Sequence, residues 1–313
     1  MSQRRAVAGG IDLRVSIGSV SLKNPIIAAS GTFAYGVEFA HLVDLNRLGG
    51  IVVKGLSAQP MVGNPAPRMC ETVGGMVNAI GLQNIGVRAF VAEKLPALRR
   101  YDTAVIANVF GHSISEYVEV IGVLEDAEGL AAYELNISCP NVERGGIEYS
   151  SDPAQIAEVV GAARKAAGRR PLWVKLSPSV GIIGITAKAA EDAGADAVVI
   201  ANTYPALCLD SRNRRSLLGS TTGGLSGPAI RPITIRLVYD ASRVLRIPII
   251  GLGGIESPAD VAEYMVAGAS AVEVGTAHFV DPQASEKLVI SVEKWCQDEN
   301  LLEISKLTGS IKA

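Results

Sequence analysis

The chain has 313 residues, enough for one large α/β barrel or two ordinary domains, and its 48% hydrophobic content allows a large core. A net charge of −2 with no basic or acidic run gives no electrostatic support to nucleic-acid or membrane-surface binding. No apolar run reaches transmembrane length. Four cysteines far apart in sequence (Cys70, Cys139, Cys208 and Cys296), with no CxxC pair, speak against a disulfide framework, a zinc site or an iron–sulfur cluster held by this chain alone. That usage fits a reducing cytoplasm. Residues 1–10 carry Arg4 and Arg5 but no apolar signal core, and read as a loose tail.

Residues 13–22 alternate in polarity around Gly18 and predict a short hairpin ahead of the main fold. A regular rhythm follows. Short runs rich in Val, Ile and Ala lie at 25–30, 50–55, 104–110, 133–138, 172–177, 197–203, 248–254 and 271–276. Helix-period segments separate them, among them 87–98, 153–167, 185–193, 232–244, 258–267 and 284–297. Continuous apolar strands alternating with helices indicate a parallel sheet covered on both faces. Eight such units in this length predict an α/β fold, a (β/α)8 barrel, with a doubly wound open sheet as the alternative. No linker-like or low-complexity stretch divides residues 1–313, so one domain is expected.

Two connections, 57–86 and 204–231, are too long for plain barrel loops and follow strand C-termini, where barrel enzymes keep their sites. Each is expected to cover a ligand, although 212–219 taken alone could equally serve oligomer contacts.

Polar residues end the apolar runs in a consistent series: Ser30, Lys54, Asn108, Asn136 with Cys139, Lys175, Asn202-Thr203, Gly253-Gly254 and Gly275-Thr276. In a parallel barrel all of them point to one mouth. Two lysines and three asparagines at equivalent strand ends are hard to explain as packing, because each unpaired buried polar group costs roughly 1–3 kcal/mol. Glycines at Gly227, Gly253, Gly254 and Gly275, near helix starts and after the last two strands, predict a phosphate cradle of backbone N–H groups. At the fourth strand end, Pro140 cannot extend a ladder and restricts Cys139 before it, while Gly145-Gly146 let the following loop bend. A cysteine there is by itself an ordinary small hydrophobe; the flanking Asn136 and Asn141 suggest a polar, planar ligand beside a proton-transfer group. No Ser/His/Asp arrangement or metal-binding carboxylate cluster emerges. His41, His112 and His278 are expected at the surface or at helix caps.

These segments together resemble the dihydroorotate dehydrogenases, and among them the catalytic flavoprotein subunit of the NAD-linked class 1B enzymes. The resemblance is carried by Asn24-Pro-Ile-Ile-Ala-Ala-Ser-Gly-Thr-Phe33, Val53-Lys-Gly55, Asn78-Ala-Ile-Gly-Leu-Gln-Asn84 and Asn108-Val-Phe-Gly111. It continues through Asn136-Ile-Ser-Cys-Pro-Asn141, Val174-Lys-Leu-Ser-Pro178, Ala201-Asn-Thr203, Gly223-Gly-Leu-Ser-Gly-Pro-Ala229, Gly251-Leu-Gly-Gly254 and Val274-Gly-Thr276. The resemblance implies a flavin mononucleotide (FMN) barrel that oxidises dihydroorotate to orotate in pyrimidine synthesis. Ser30, Lys54, Gly55, Asn108, Asn136, Lys175 and Ala201 would contact the flavin, and Gly227, Gly253, Gly254, Gly275 and Thr276 its ribityl phosphate side. Lys54, Asn78, Ala79, Ile80, Gly81, Leu82, Asn136, Asn141, Asn202 and Thr203 would hold the substrate, and Cys139 takes the position of the catalytic base. The same resemblance implies one noncovalent FMN per chain, no metal, and a homodimer core joined to a subunit with FAD and a 2Fe–2S cluster, making a cytoplasmic heterotetramer. This chain carries no NAD fingerprint of its own.

The chain departs from the family pattern in its longer N-terminal tail, at 179–183 and at Tyr204-Pro-Ala-Leu-Cys-Leu209. Membrane-bound class 2 relatives use serine at the Cys139 position and carry an N-terminal membrane extension; with cysteine at 139 and no apolar run of membrane-spanning length, the class 2 pattern is not expected here. Other readings are a fumarate-linked class 1A enzyme and a dihydropyrimidine dehydrogenase-like flavin domain, which favours histidine where Asn141 stands. A non-catalytic electron relay and a phosphosugar isomerase fit the strand-end residues less well.

Overall fold

The computed structural model describes residues 10–138, 140–141, 147–148, 152–168 and 170–312, with only the backbone at 140–141 and 147–148. Strands β1 (Val15–Ile17) and β2 (Val20–Leu22) form the expected hairpin, turning at Gly18 with φ +59°. Val15, Ile17, Val20 and Leu22 are buried, and Gly18 lies against Asp196 just before a barrel strand, so the hairpin packs at the strands' N-terminal end.

The next strands are β3 (Ile26–Ala28), β4 (Gly50–Val52), β5 (Met69–Thr72), β6 (Gly75–Asn78), β7 (Ala104–Val109) and β8 (Ala132–Asn136). They are followed by the short β9 (Pro140–Asn141) and β10 (Ile147–Glu148), then β11 (Leu172–Lys175) and β12 (Ala197–Ile200). Last come β13 (Tyr204–Ala206), β14 (Leu209–Asp210), β15 (Arg215–Ser216), β16 (Gly223–Ser226), β17 (Ile249–Leu252) and β18 (Ala271–Val274). Strands β3, β4, β7, β8, β11, β12, β17 and β18 pair in parallel and close into a barrel, with β18 returning to β3. Each falls inside or within a residue of one of the eight apolar runs, and the closed barrel, not the open sheet, is the architecture. Asn108, Asn136 and Lys175 are paired at or near the ends of their ladders, whereas Ser30, Lys54, Asn202, Gly253 and Gly275 lie one or two residues past the last paired position.

Helices cover the barrel. The first, α1 (Val87–Ala89), continues through a π-turn at Phe90–Lys94 into α2 (Leu95–Leu98). Then come α3 (Ile114–Glu125), α4 (Pro153–Ala166), α5 (Ile183–Asp192), α6 (Arg231–Ser242), α7 (Pro258–Ala267), α8 (Ala277–Val280) and α9 (Ala284–Asp298). Helix starts follow local chemistry. Ser113 caps α3, Asp152 precedes Pro153 at the start of α4, and Ser257 and Asp260 form a reciprocal capping box on α7. The first β/α unit departs from the simple repeat: two 3₁₀ turns, Val37–Phe39 and Leu45–Arg47, stand where a helix would follow β3, and α9 packs against β3.

The two long connections pair with each other. Strands β5 and β6 from the first and β13 and β16 from the second form an antiparallel sheet in the order β13-β16-β6-β5. Gly224 lies opposite Asn78 and Leu225 opposite Val77. No helix among the described residues is long and apolar enough to cross a membrane.

One expectation changes. His278 is a core residue, 3% exposed, packed on Phe33 and hydrogen-bonded through Nε2 to Ser285 Oγ at 2.8 Å. Burial, the larger influence, draws its pKa down to about 4. As expected of cysteines outside a disulfide framework, Cys70 on β5 and Cys208 between β13 and β14 are free thiols.

Candidate active site

At the C-terminal mouth of the barrel lies a cavity of about 530 Å³, within the range of small-ligand pockets. The barrel supplies its floor and the β13-β16-β6-β5 sheet one wall. Of the residues singled out in the sequence, Ser30, Lys54, Gly55, Asn108, Asn136, Lys175, Ala201, Asn202, Thr203, Gly253, Gly254, Gly275 and Thr276 line it. So do Asn78, Ala79, Ile80, Gly81 and Leu82, carried by the end of β6 and the turn after it. Gly227 does not line the cavity: its carbonyl lies behind Gly254, and its φ of +99° turns the chain into Pro228 ahead of α6. Cys139 lies outside the described residues, as do Gly145 and Gly146 and the side chain of Asn141.

A relay of polar groups fixes the floor. Asn202 Nδ2 donates to Ser138 Oγ, which donates to Asn136 Oδ1 at 2.8 Å, and the Thr203 N–H donates to Asn202 Oδ1 at 2.8 Å. Side chains at the ends of β8 and β12 are thereby locked together, and Tyr117 on α3 donates to the Asn136 carbonyl at 2.7 Å. Asn108 donates through Nδ2 to Glu134 Oε1 at 2.5 Å, leaving its own Oδ1 buried without a donor among the described residues. That oxygen also explains Gly55, where a Cβ would sit 2.8 Å from it.

The two lysines differ. Burial, then the charge of Arg68, lowers the Lys54 pKa, and no carboxylate among the described residues offsets this. Lys175 is the reverse case: burial would draw its ammonium down, but Glu134 at 3.3 Å and Glu273 at 3.1 Å outweigh this and raise it. Glu273 gave no signal in the sequence because it sits inside an otherwise apolar run. Ser138 and Ser177, the last residues of their apolar runs, and Ser226 on β16 in the second long connection line the cavity too and were not singled out.

The glycine segments after β17 and β18 are held from behind. Tyr264 on α7 donates to the Gly253 carbonyl at 2.7 Å, and Arg231 on α6 reaches the Gly254 carbonyl while paired with Asp260. Gly254 has φ +67°, and a Cβ there would meet the Gly227 oxygen at 2.7 Å, so glycine is required. At Gly275 a Cβ would meet protein only at 3.7 Å; no protein neighbour demands that glycine, and the space beside it belongs to the cavity. Thr276 Oγ1 donates to Ser226 Oγ at 2.8 Å, tying this segment to β16.

These features fit a flat, hydrogen-bonding heterocycle with a phosphate tail. Asn108 Oδ1 can accept an N–H, two lysines lining the cavity can meet anionic or electron-rich groups, and the glycine segments leave room for backbone contact with a phosphate. Among the described residues no group of three or more His, Cys, Asp or Glu is placed to hold a metal ion.

The family model described as dihydroorotate dehydrogenase matches residues 12–295. A protein named putative dihydroorotate dehydrogenase A (fumarate), from Solibacter usitatus, is 57% identical over 96% of this chain and 98% of its own length. Proteins named dihydroorotate dehydrogenase B (NAD(+)), catalytic subunit, from Pelobacter propionicus and Geotalea daltonii, are 48% and 47% identical over 96% of this chain and 99% and 98% of theirs. A crystal structure of DHODH from Eimeria tenella in complex with ferulenol superposes with a TM-score of 0.80 at 20% identity, covering 96% of this chain and 88% of that one, which shows a shared fold.

Proposed function

The chain belongs to the dihydroorotate dehydrogenase family of flavin-dependent oxidoreductases, and from that premise we propose that its cavity binds FMN and oxidises dihydroorotate to orotate in pyrimidine synthesis. The observation that carries the reading is Lys54, a largely buried cation in the cavity wall with no carboxylate partner among the described residues. Such a cation is costly to the fold and is explained by an anionic ligand.

One noncovalent FMN per chain is proposed, held by Ser30, Lys54, Gly55, Asn108, Asn136, Lys175 and Ala201 around the ring. Gly253, Gly254, Gly275 and Thr276 would hold its phosphate, with Gly227 supporting them from behind. Bound FMN supplies the hydride acceptor. Everything else falls to the chain. Lys54 neutralises the substrate carboxylate. Asn78, Ala79, Ile80, Gly81, Leu82, Asn136, Asn202 and Thr203 fix the ring amides, joined by Asn141. The relay through Ser138 keeps the Asn136 and Asn202 amides oriented before substrate arrives, which lowers the cost of binding. Cys139, as general base, takes the proton from substrate carbon 5 while the hydride leaves carbon 6. A free thiol with a pKa of about 8.5 supplies some thiolate at neutral pH. Lys175 faces the cavity as a cation and favours negative charge above it.

The proposed electron acceptor is NAD, reached through a partner subunit with FAD and a 2Fe–2S cluster docked on a homodimer of this chain in the cytoplasm. Its support is the naming of several relatives at 45–48% identity as NAD-linked catalytic subunits. The relative at 57% identity is named for fumarate and favours a second reading, in which fumarate itself collects the electrons without a partner. Assays of the purified chain with dihydroorotate and either fumarate or NAD separate the two. Turnover with fumarate supports the second reading, and efficient NAD reduction by this chain alone contradicts the partner subunit. Flavin released by acid should chromatograph as FMN; FAD, or folded protein without flavin, would contradict the cofactor assignment.

A further inference from the structure

The eight barrel strands carry three charged side chains: Glu134 on β8, Lys175 on β11 and Glu273 on β18. All three are buried, with Glu134 and Glu273 at 0% exposure and Lys175 at 4%. Lys175 Nζ donates to Glu134 Oε1 at 3.3 Å and to Glu273 Oε2 at 3.1 Å. Asn108 Nδ2 donates to the same Glu134 oxygen at 2.5 Å. The other two oxygens, Glu134 Oε2 and Glu273 Oε1, receive no donor from the described residues. Both carboxyl groups thus close on the one ammonium. Strands β3, β4, β7, β12 and β17 add no charged group; Lys54, just beyond β4, lines the cavity above.

Two carboxylates against one ammonium would leave an uncompensated negative charge in a dry interior, where an unpaired ion is heavily penalised. Two carboxyls sharing a site cannot both ionise freely, and one holds its proton far into the neutral range. Burial and then the Glu134 charge push the Glu273 carboxyl well above its ordinary pKa, against the pull of Lys175. A proton on one carboxyl, donated to the other, also supplies the donor that the orphaned oxygens lack.

We propose that Glu134 and Glu273 share one proton beside the Lys175 ammonium, and that the pair is a proton-binding site coupled to negative charge in the cavity. Lys175 lines the cavity and the two carboxyls do not, so they sit behind it. An anion bound in the cavity, orotate at Lys54 included, draws on the Lys175 ammonium through its field and acts on the carboxyls behind it. Both effects raise the proton affinity of the pair, which draws a second proton from solvent and returns it when the anion leaves. The shared proton stands on the geometry alone; the coupling rests on the proposed function, since orotate is the anion that probes it.

Infrared spectroscopy of the FMN-loaded protein at pH 7 tests the shared proton. The expected signal is the carbonyl stretch of a protonated carboxylic acid, shifted in D₂O. Glu273→Gln and Glu134→Gln should each lose it, the latter because a single carboxylate then faces Lys175. Glu119→Gln, on the exposed face of α3, should keep it. Absence of the band in the unsubstituted protein overturns the shared proton, and that measurement stands even where neither variant folds. Calorimetric titration with orotate in two buffers of different ionisation enthalpy tests the coupling. Proton uptake in the unsubstituted protein and its loss in Glu273→Gln are expected. Equal uptake in both overturns the coupling. Failure to bind orotate at all would sink the coupling and the proposed function together, while the band still decides the shared proton.

Discussion

Lys54 shows how function opposes stability at a single residue. Its ammonium is mostly desolvated and faces Arg68, and its pKa is lowered by both. In the folded chain without ligand, the charged form is therefore disfavoured relative to the unfolded chain, and an anion that pairs with it restores it. Lys54→Met should leave the fold as stable or more so, yet weaken orotate binding by about 10–100-fold, the worth of a charge-assisted hydrogen bond of roughly 1.5–3 kcal/mol. Orotate affinity of the unsubstituted protein should fall as pH rises through the depressed lysine pKa, below its ordinary 10.5. Titration of the bound flavin's absorbance with orotate follows both effects. A variant that binds orotate normally removes Lys54 from the site.

Cys139 belongs to the same scale. Serine is close in shape and a far weaker acid, so Cys139→Ser should retain FMN and orotate. Reduction of the flavin by dihydroorotate should slow by roughly 10²–10⁴-fold, the usual worth of a positioned base. The variant's rate should keep climbing at pH values where the unsubstituted protein has levelled off. Stopped-flow absorbance reads this step directly, and unchanged rates with an unchanged pH profile would reject the assignment.

Among the elements, the β13-β16-β6-β5 sheet shapes the cavity wall, and its pairing has no local signature. Strands β6 and β16 are far apart in sequence and each is four residues long, so neither burial pattern nor turn chemistry announces the partner. The barrel strands were legible for the opposite reason: buried on both faces, they read as continuous apolar runs whatever their neighbours. Their polar ends were legible because Lys54, Asn108, Asn136 and Lys175 break those runs at equivalent places. Glu273 and His278 were not, because one charge inside an apolar run and one histidine in the short α8 give no sign of what they will meet. Only the closure of the barrel brings Glu273 to Lys175 and packs His278 against Phe33. Close approach within the sheet yields a specific test. A Cβ on Gly224 would fall 1.9 Å from Thr203 Oγ1, so Gly224→Ala must displace Thr203. Overpacking of this kind costs about 1–3 kcal/mol. Orotate affinity should drop with flavin binding kept; a variant that keeps full orotate affinity would separate Thr203 from substrate binding.

For the molecule as a whole, acid stability carries the imprint of His278. Its pKa is about 4 folded against 6.5 unfolded. A base whose folded pKa is depressed contributes fully above 6.5, and that contribution is lost as pH falls toward 4, because the unfolded chain takes up the proton first. Across that window the loss is about 3 kcal/mol, at 1.36 kcal/mol per unit. Urea unfolding of the unsubstituted protein and of His278→Gln at pH 7 and pH 4.5 should show the variant losing less stability on acidification. Parallel losses would place the acid sensitivity elsewhere.

The central claim is that one barrel mouth holds both the flavin and dihydroorotate, with the chemistry supplied by this chain alone up to reduction of the flavin. Its most direct test is anaerobic addition of dihydroorotate to the purified, FMN-loaded chain, with absorbance and product followed together. The account predicts stoichiometric bleaching of the flavin with formation of one orotate per flavin, without NAD, fumarate or any partner. Folded, flavin-bearing protein that neither bleaches nor forms orotate would contradict it.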